Sequence, residues 1–314
     1  MSSISSEVPA VTTAASHGRF SADVVSRRLA DYLQLTRPRI AVMSAVAVAA
    51  GFRVASPMSV DWLTLFAAII GIVCFVAVSS TWNQVLERRT DSLMNRTESR
   101  PFATGRISAT EGWVLGFVLC VVGALVLGAV VNTLTLAASA LTMLTYVFAY
   151  TPLKRTSVLC TTVGAIPGAM PPVLGWLAAG RGLGVEALAL FAIFFVWQFP
   201  HFLAIGWLHR IDYQRAGLRM LPSFHDNGRL TAVVAITYAI AFVPVSCLPR
   251  FVGLAGQGYL FAALVLSAGY LWLTVRFVIQ RSDRRARQLM IGSLLCLPVL
   301  LLCLVGDFVR LTSF

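Results

Sequence analysis

The sequence predicts an all-α polytopic membrane protein, a bundle of nine transmembrane helices around a central cavity. Three observations lead to this fold class. First, 58% of the 314 residues are hydrophobic and only 12% are charged, which is more apolar than the usual composition of soluble domains. Second, apolar stretches long enough to cross a bilayer recur along the whole chain. Third, the basic residues are concentrated in alternate connections between those stretches.

The N-terminal segment, residues 1–30, precedes the first apolar stretch and is rich in Ser, Ala and Thr. It shows no apolar periodicity until Val24, and we expect it to be a disordered cytoplasmic tail. It also lacks the compact apolar core and small-residue cleavage site of a secretory signal. Residues 31–314 are predicted to form a single transmembrane domain.

The predicted spans follow from the length of the apolar stretches, because about 20 residues of helix cross a bilayer. Two connections, 83–111 and 207–229, are long and polar. Loops of that length in a compact bundle are usually either functional or disordered. The nine spans are 39–56, 62–82, 112–131, 133–151, 158–180, 186–206, 230–249, 257–279 and 289–309.

The orientation follows from the distribution of Lys and Arg. With nine spans, the side that carries the N-terminus and both long loops holds 21 of the 25 basic residues. The positive-inside rule then places that side in the cytoplasm and the C-terminus outside. We expect a multi-pass protein of the cell inner membrane, with the mitochondrial inner membrane as the alternative. Because topology accounts for most of the net charge of +12, nucleic acid is not an expected partner.

The end of the second span reads TWNQVLERRTDSLMNRTESRP and carries a stripe of oxygen-bearing side chains. Asn83, Glu87 and Asp91 are four residues apart, which places them on one helical face within about 80°. Hard divalent cations such as Mg²⁺ take oxygen ligands and often bridge to substrate phosphates. Arginines follow closely in the sequence, and their guanidinium groups match the geometry of phosphate. The pattern indicates a metal–diphosphate site, and a solvated helix end with salt bridges is the alternative interpretation.

Two further polar segments lie on the same predicted side of the membrane. The segment YTPLKR contains Arg155 and Lys154, the only lysine in the chain. The second long loop, within WQFPHFLAIGWLHRIDYQRAGLRMLP, contains Asp212. Aspartate is costly at membrane depth and tends to mark function. The alternatives are a helix cap for the aspartate and a topology anchor for the Lys-Arg pair.

These segments, together with GAIPGAMPPVLGW, resemble the protohaem IX farnesyltransferase family, a branch of the UbiA superfamily of intramembrane prenyltransferases. The resemblance runs from LTRPRI at residues 35–40 to Phe224 and is weaker over the last three spans. The Asn-x-x-x-Asp/Glu-x-x-x-Asp pattern occurs across the superfamily. The MNRTxxRP and DYxRAGxxMLP blocks are more specific to the haem branch.

The resemblance implies a transferase that moves the farnesyl group of farnesyl diphosphate to a vinyl group of haem B, with addition of water. The products are diphosphate and haem O, which serves terminal oxidases. The implied cofactor is Mg²⁺, with Mn²⁺ as a substitute, and haem B is a substrate rather than a permanent cofactor. By resemblance, the catalytic and metal-binding residues are Asn83, Glu87, Asp91 and Asp212. The substrate-binding residues are Arg96, Arg100, Lys154, Arg155, His201 and Tyr213.

Two positions depart from the family pattern. Members of the family usually carry a second acid directly before Asp212, where this chain has Ile211. We therefore expect the second half of the metal site to bind more weakly or to use Asp226. Many members have Asn at the position of Cys160, so the polarity of the substrate pocket differs there.

Two other functions remain open at this point. Within the superfamily, the acceptor could be a quinone precursor or a chlorophyll-like ring. A multispan transporter of an anionic solute also has basic loops, but it has no use for three oxygen ligands beside its arginines. The expected partners are farnesyl diphosphate, haem B and the lipid bilayer. A subsequent haem-modifying enzyme or an oxidase assembly factor is a further candidate.

Overall fold

The structure is a computed structural model that describes residues 14–56, 58–224 and 228–307. Every regular element in these ranges is helical and none is a strand, so the prediction of an all-α protein is confirmed. The helices are α1 (Ala14–Thr36), α2 (Pro38–Ala55), α3 (Trp62–Asp91), α4 (Ala109–Val126), α5 (Thr133–Leu144), α6 (Thr151–Leu153), α7 (Cys160–Ala178), α8 (Val185–Leu208), α9 (Arg210–Arg215), α10 (Leu221–Phe224), α11 (Arg229–Phe251), α12 (Gln257–Ile279) and α13 (Asp283–Gly306). Two π-helical segments, Leu127–Val131 and Thr145–Tyr150, follow α4 and α5.

Eight membrane-crossing helices, by length and composition, occur in the described part of the chain. They coincide with eight of the predicted spans. The remaining predicted span, 158–180, coincides with α7, a 19-residue helix that contains three prolines and is not among the eight. This helix packs against both α2 and α8.

The N-terminal segment differs from the prediction. Residues 14–30 belong to α1 rather than to a disordered tail, and residues 1–13 lie outside the described ranges. An exposed ion pair ties α1 to the start of α4, because Arg28 donates to the Glu111 carboxylate at 2.6 Å. Such long-range pairing cannot be read from the composition of the segment.

Four helices contact one another in a closed circuit, in which α2 packs against α7, α7 against α8, α8 against α13, and α13 against α2. The axes of α2 and α7 approach closely at Gly51 and Gly175. A Cβ at either position would overlap the backbone of the other helix. Toward the C-terminal end of α2 the circuit is filled by apolar side chains that include Val54, Val173 and Leu297. The polar residues discussed below lie toward the opposite end.

Candidate active site

The predicted stripe lies at the end of α3, which continues past the predicted span to Asp91. Asn83, Glu87 and Asp91 are all buried, with 0%, 6% and 1% of their surface exposed. Two carboxylates are costly to bury unless cations or hydrogen-bond donors accompany them. The stripe is therefore not the solvated helix end of the alternative interpretation, and its partners determine what it can do.

Each carboxylate of the stripe faces a cation from a different segment. The Lys154 ammonium donates to Glu87 at 2.8 Å, and these side chains are only 13% and 8% exposed. The Nη1 atom of Arg100 donates to both carboxylate oxygens of Asp91, at 2.9 and 2.8 Å. The two negative charges of α3 are thus matched by Arg100, from the loop after α3, and by Lys154, the residue after α6.

Asn83 connects the stripe to two further elements. Its Nδ2 donates to the Thr151 hydroxyl at 3.0 Å, and its Oδ1 accepts from the Arg37 guanidinium at 3.3 Å. Arg37 stands between α1 and α2 with φ 49°, the only non-glycine residue of the described ranges with a left-handed backbone. A strained backbone of this kind often occurs at functional sites. Arg37 was not among the predicted site residues, although the Arg-Pro pair in LTRPRI was a usable signal.

Lys154 is held in place by the π-helical segment that precedes it. The widened turn of Thr145–Tyr150 is closed by Thr151, whose hydroxyl donates to the Tyr146 carbonyl, and π-helical turns are frequent at functional sites. The ammonium lies 4.4 Å from the centroid of the Tyr150 ring. Burial disfavours the charged form of Lys154, but the neighbouring Glu87 carboxylate outweighs this and raises its pKa. Lys154 therefore remains a cation.

Cations crowd together on this side of the stripe. Burial lowers the pKa of Arg100, and the nearby positive charges of Arg37 and Arg96 lower it further, against the effect of Asp91. Two carboxylates thus face more cations than they can neutralise. Arg37 and Arg100 are half-buried and Arg96 is exposed. An excess of guanidinium groups around one point is the environment that a multivalent anion such as diphosphate requires.

The second polar loop folds into α9 and packs against the loop that follows α3. Arg96 donates to the Tyr213 hydroxyl at 2.8 Å, and its guanidinium lies 4.9 Å from the centroid of that ring. Tyr213 packs in a small apolar cluster with Met94 and Leu218. The two long loops predicted to be functional are therefore in direct contact with each other.

Asp212 lies in the same loop contact but is less tightly held than Asp91. The His209 ring lies beside it, with Nδ1 4.0 Å from the Asp212 carboxylate. Burial and the nearby Arg96 lower the pKa of His209, with Asp212 acting in the opposite direction. The neighbouring Ile211 side chain is exposed, and Asp226 lies outside the described residues.

The remaining predicted substrate-binding residues lie elsewhere. Arg155 donates to the Leu86 carbonyl at 3.1 Å and so ties the segment after α6 to α3. His201 is buried in α8, and its Nδ1 lies 2.6 Å from the Ser293 hydroxyl of α13. Neither residue hydrogen-bonds to the α3 stripe in the described part of the chain.

The donor set fits a hard divalent cation that is shared with a substrate. No group of three or more His, Cys, Asp or Glu side chains that could hold a metal occurs among residues 14–56, 58–224 and 228–307. Mg²⁺ commonly uses only one or two carboxylates and completes its shell with waters and substrate phosphates. Glu87, Asp91 and the amide oxygen of Asn83 could form such a partial shell, and the cations opposite could contact phosphate.

Comparison with known proteins places the chain in one family. The profile of the UbiA prenyltransferase family matches residues 44–298. A protein named protoheme IX farnesyltransferase from Koribacter versatilis is 41% identical over 294 residues, which cover 90% of this chain and 94% of that protein. One with the same name from Solibacter usitatus is 41% identical over 279 residues, covering 86% of this chain and 96% of the relative.

Solved structures share the fold. A structure reported for digeranylgeranylglyceryl phosphate synthase has a TM-score of 0.75 at 15% identity and covers 90% of this chain and 98% of its own. A UbiA homologue from Archaeoglobus fulgidus, bound to DMAPP and Mg²⁺, has a TM-score of 0.62 at 17% identity and covers 88% and 99%. At these identities the similarity establishes the fold alone.

Proposed function

The chain belongs to the UbiA prenyltransferase family, and we propose that it transfers the farnesyl group of farnesyl diphosphate to a vinyl group of haem B. The products are haem O and diphosphate. The single observation that carries this proposal is the buried α3 stripe with its opposing cations, in a chain that is 41% identical to proteins named protoheme IX farnesyltransferase. The same identity favours haem over a quinone precursor as the acceptor.

The proposed roles follow from the contacts in the site. Asn83, Glu87 and Asp91 hold a divalent cation, which when bound supplies positive charge that stabilises the diphosphate leaving group. Mg²⁺ is the expected ion and Mn²⁺ can replace it. Asp212 contributes to this site from the second loop, and Ile211 leaves that half with fewer carboxylates.

The cations bind the diphosphate directly. In the described contacts Lys154 pairs with Glu87 and Arg100 pairs with Asp91. When the two carboxylates turn to the metal ion, the diphosphate oxygens accept part of the hydrogen bonding of Lys154 and Arg100. Arg96, with Tyr213, closes the site from the loop side. Arg155 holds the segment that carries Lys154 against α3.

The reaction needs no basic side chain for its first step. The bond between farnesyl C1 and the bridging oxygen breaks, and its electron pair leaves with diphosphate, so positive charge develops on the allylic group. Fixed charges that stabilise the leaving anion lower this barrier. The π-electron pair of the haem vinyl group forms the new carbon–carbon bond. Water adds to the resulting cation and loses a proton, leaving a hydroxyl group.

The protein is a polytopic membrane protein. We place the α3 stripe and both long loops on the cytoplasmic side of the cell inner membrane, because most Lys and Arg residues fall on that side of the predicted topology. The apolar farnesyl chain can then extend between the helices while the diphosphate remains near water. His201 is proposed to contact the haem.

The test is pigment analysis of membranes from a host that makes no haem O. Expression of the chain should produce haem O in the extract, identified by its retention time and mass. Asp91→Asn, which keeps the side-chain shape, should not produce it at equal abundance in the membrane. If wild-type membranes contain only haem B together with a new prenylated quinone precursor, the acceptor is not haem.

A further inference from the structure

His201 lies on the face of α8 that is turned toward its neighbours in the four-helix circuit, α7 and α13. On α8, Gln198 donates to the Ala165 carbonyl of α7, and His201 contacts Ser293 of α13. Residues three apart on a helix share a face, so this face of α8 lies between its two neighbours in the circuit. His201 is only 7% exposed, and histidine at membrane depth is rare and tends to be functional.

The contacts of the Ser293 hydroxyl favour one of the two tautomers of the neutral His201 imidazole. The Ser293 hydroxyl donates its single proton to the Met290 carbonyl at 2.6 Å. The same oxygen lies 2.6 Å from His201 Nδ1, so it can only accept there. In the neutral imidazole, a proton on Nδ1 leaves an unprotonated lone pair on Nε2.

The imidazole ring is also fixed in orientation. It stacks on Trp197 with 4.9 Å between centroids and an interplanar angle of 17°. Trp197 is itself held, because its indole N–H donates to the Ser293 carbonyl at 3.1 Å and its own carbonyl accepts from the Tyr270 hydroxyl at 2.8 Å. No hydrogen bond to His201 Nε2 occurs among the residues that the structure describes.

We propose that His201 Nε2 is an axial ligand of the haem iron and that Ser293 is the positioning residue that fixes its tautomer. This inference rests on the proposed function, since it assigns the ligand of the haem acceptor. A metal-bound histidine normally donates its other ring N–H to an oxygen acceptor, which fixes the ring and raises its basicity. The Ser293 hydroxyl is such an acceptor.

The arrangement suits a substrate that must be held by its centre and modified at its edge. The iron is at the centre of the macrocycle and the vinyl groups are at its periphery. His201 lies seven residues before the end of α8, or about 10 Å along the helix axis. Coordination there would position the ring within the bundle and let a vinyl group turn toward the diphosphate site at the end of α3.

The experiment is a titration of the purified protein with ferric haem B, without farnesyl diphosphate, followed by absorption and electron paramagnetic resonance spectra. Wild type should give the spectrum of a nitrogen-ligated haem. His201→Ala should lose it, and added imidazole should restore it. His209→Ala is the matched control, because it removes the other histidine whose side chain is described and should leave the haem spectrum unchanged.

Ser293 variants test the positioning role separately. Ser293→Ala should weaken haem binding by about 10- to 100-fold, the usual cost of losing a partner that orients a ligand. Ser293→Thr keeps the hydroxyl and should recover most of the affinity. The serine variants also keep the test decisive should His201→Ala fail to fold.

The outcomes separate this inference from the proposed function. Farnesylation of haem by wild type, with the same haem spectrum and affinity in His201→Ala, would overturn the axial ligand and leave the function standing. A wild-type spectrum without a nitrogen ligand would overturn it as well. No farnesylation of haem by wild type, in a preparation that prenylates another acceptor, would instead reject the proposed function.

Discussion

The ion pair between Glu87 and Lys154 allows the stability of the fold and the chemistry of the site to be tested separately. The pair is short, at 2.8 Å, and its side chains are 8% and 13% exposed. Removing one partner of a buried pair leaves an uncompensated charge and costs about 3–5 kcal/mol, whereas replacing both by apolar residues of similar volume is often neutral. Glu87→Met, Lys154→Met and the double variant therefore form an informative cycle.

The expected thermal shifts follow from these free energies. At roughly 2 °C for each kcal/mol, each single variant should lower the apparent unfolding midpoint by about 6 °C or more. The double variant should return to within about 2 °C of wild type. Turnover should be lost in all three, because the double variant restores stability without restoring the proposed metal ligand or the diphosphate contact.

Unfolding can be followed with a thiol-reactive fluorescent dye, because Cys160, Cys247 and Cys296 are buried and free. The matched control is Asp283→Asn, which removes the exposed partner of Arg210. Exposed ion pairs contribute about 0–1 kcal/mol, so its midpoint should hardly change. A double variant as unstable as the single ones would refute the reasoning about the buried charge. A double variant with normal turnover would remove both residues from the site.

Three further predictions concern the metal ion, the two aspartates and the topology. Treatment with a chelator should abolish turnover, and Mg²⁺ or Mn²⁺ but not Zn²⁺ should restore it, because the stripe offers oxygen ligands without thiolate or imidazole; full activity in a metal-free preparation would contradict the metal-bridge proposal. Asp91→Ala should lower turnover at least about 100-fold, and Asp212→Ala should lower it less because Asp212 is less tightly held; kinetics at equal abundance would show the reverse order if this ranking is wrong. A reporter fused after Phe314 should be outside the cytoplasm and reporters at positions 95 and 220 inside, as the charge distribution predicts. A cytoplasmic C-terminus would mean an even number of spans.

The length of the apolar stretches was sufficient to predict the bundle, and helical periodicity was sufficient to predict the stripe. Each predicted span overlaps a helix, although α3 continues to Asp91 beyond its predicted end at 82 and α13 begins at Asp283 before its predicted start at 289. The four-residue spacing places Asn83, Glu87 and Asp91 on one face of α3. Both patterns are local, because they depend only on the 3.6-residue period of the helix and on bilayer thickness. The partners of these side chains were not predictable in the same way.

The pairing of cations depends on contacts between distant segments. Arg96 and Arg100 looked equivalent in the sequence, but Arg100 pairs with Asp91 while Arg96 bonds to Tyr213, 117 residues away. Arg37 lies between α1 and α2 with a left-handed backbone, and its side chain reaches Asn83 from there. The π-helical turn before Lys154 likewise has no clear signature in the sequence.

The most direct test of the central claim supplies purified protein in lipid nanodiscs with haem B, deuterated farnesyl diphosphate and Mg²⁺. The extracted pigment is then analysed by mass spectrometry. We predict a haem whose mass has increased by one deuterated farnesyl group and one hydroxyl group, formed by wild type and not by Asp91→Asn. Haem B of unchanged mass, in a preparation that transfers the deuterated farnesyl group to an added quinone precursor and releases diphosphate, would contradict the account.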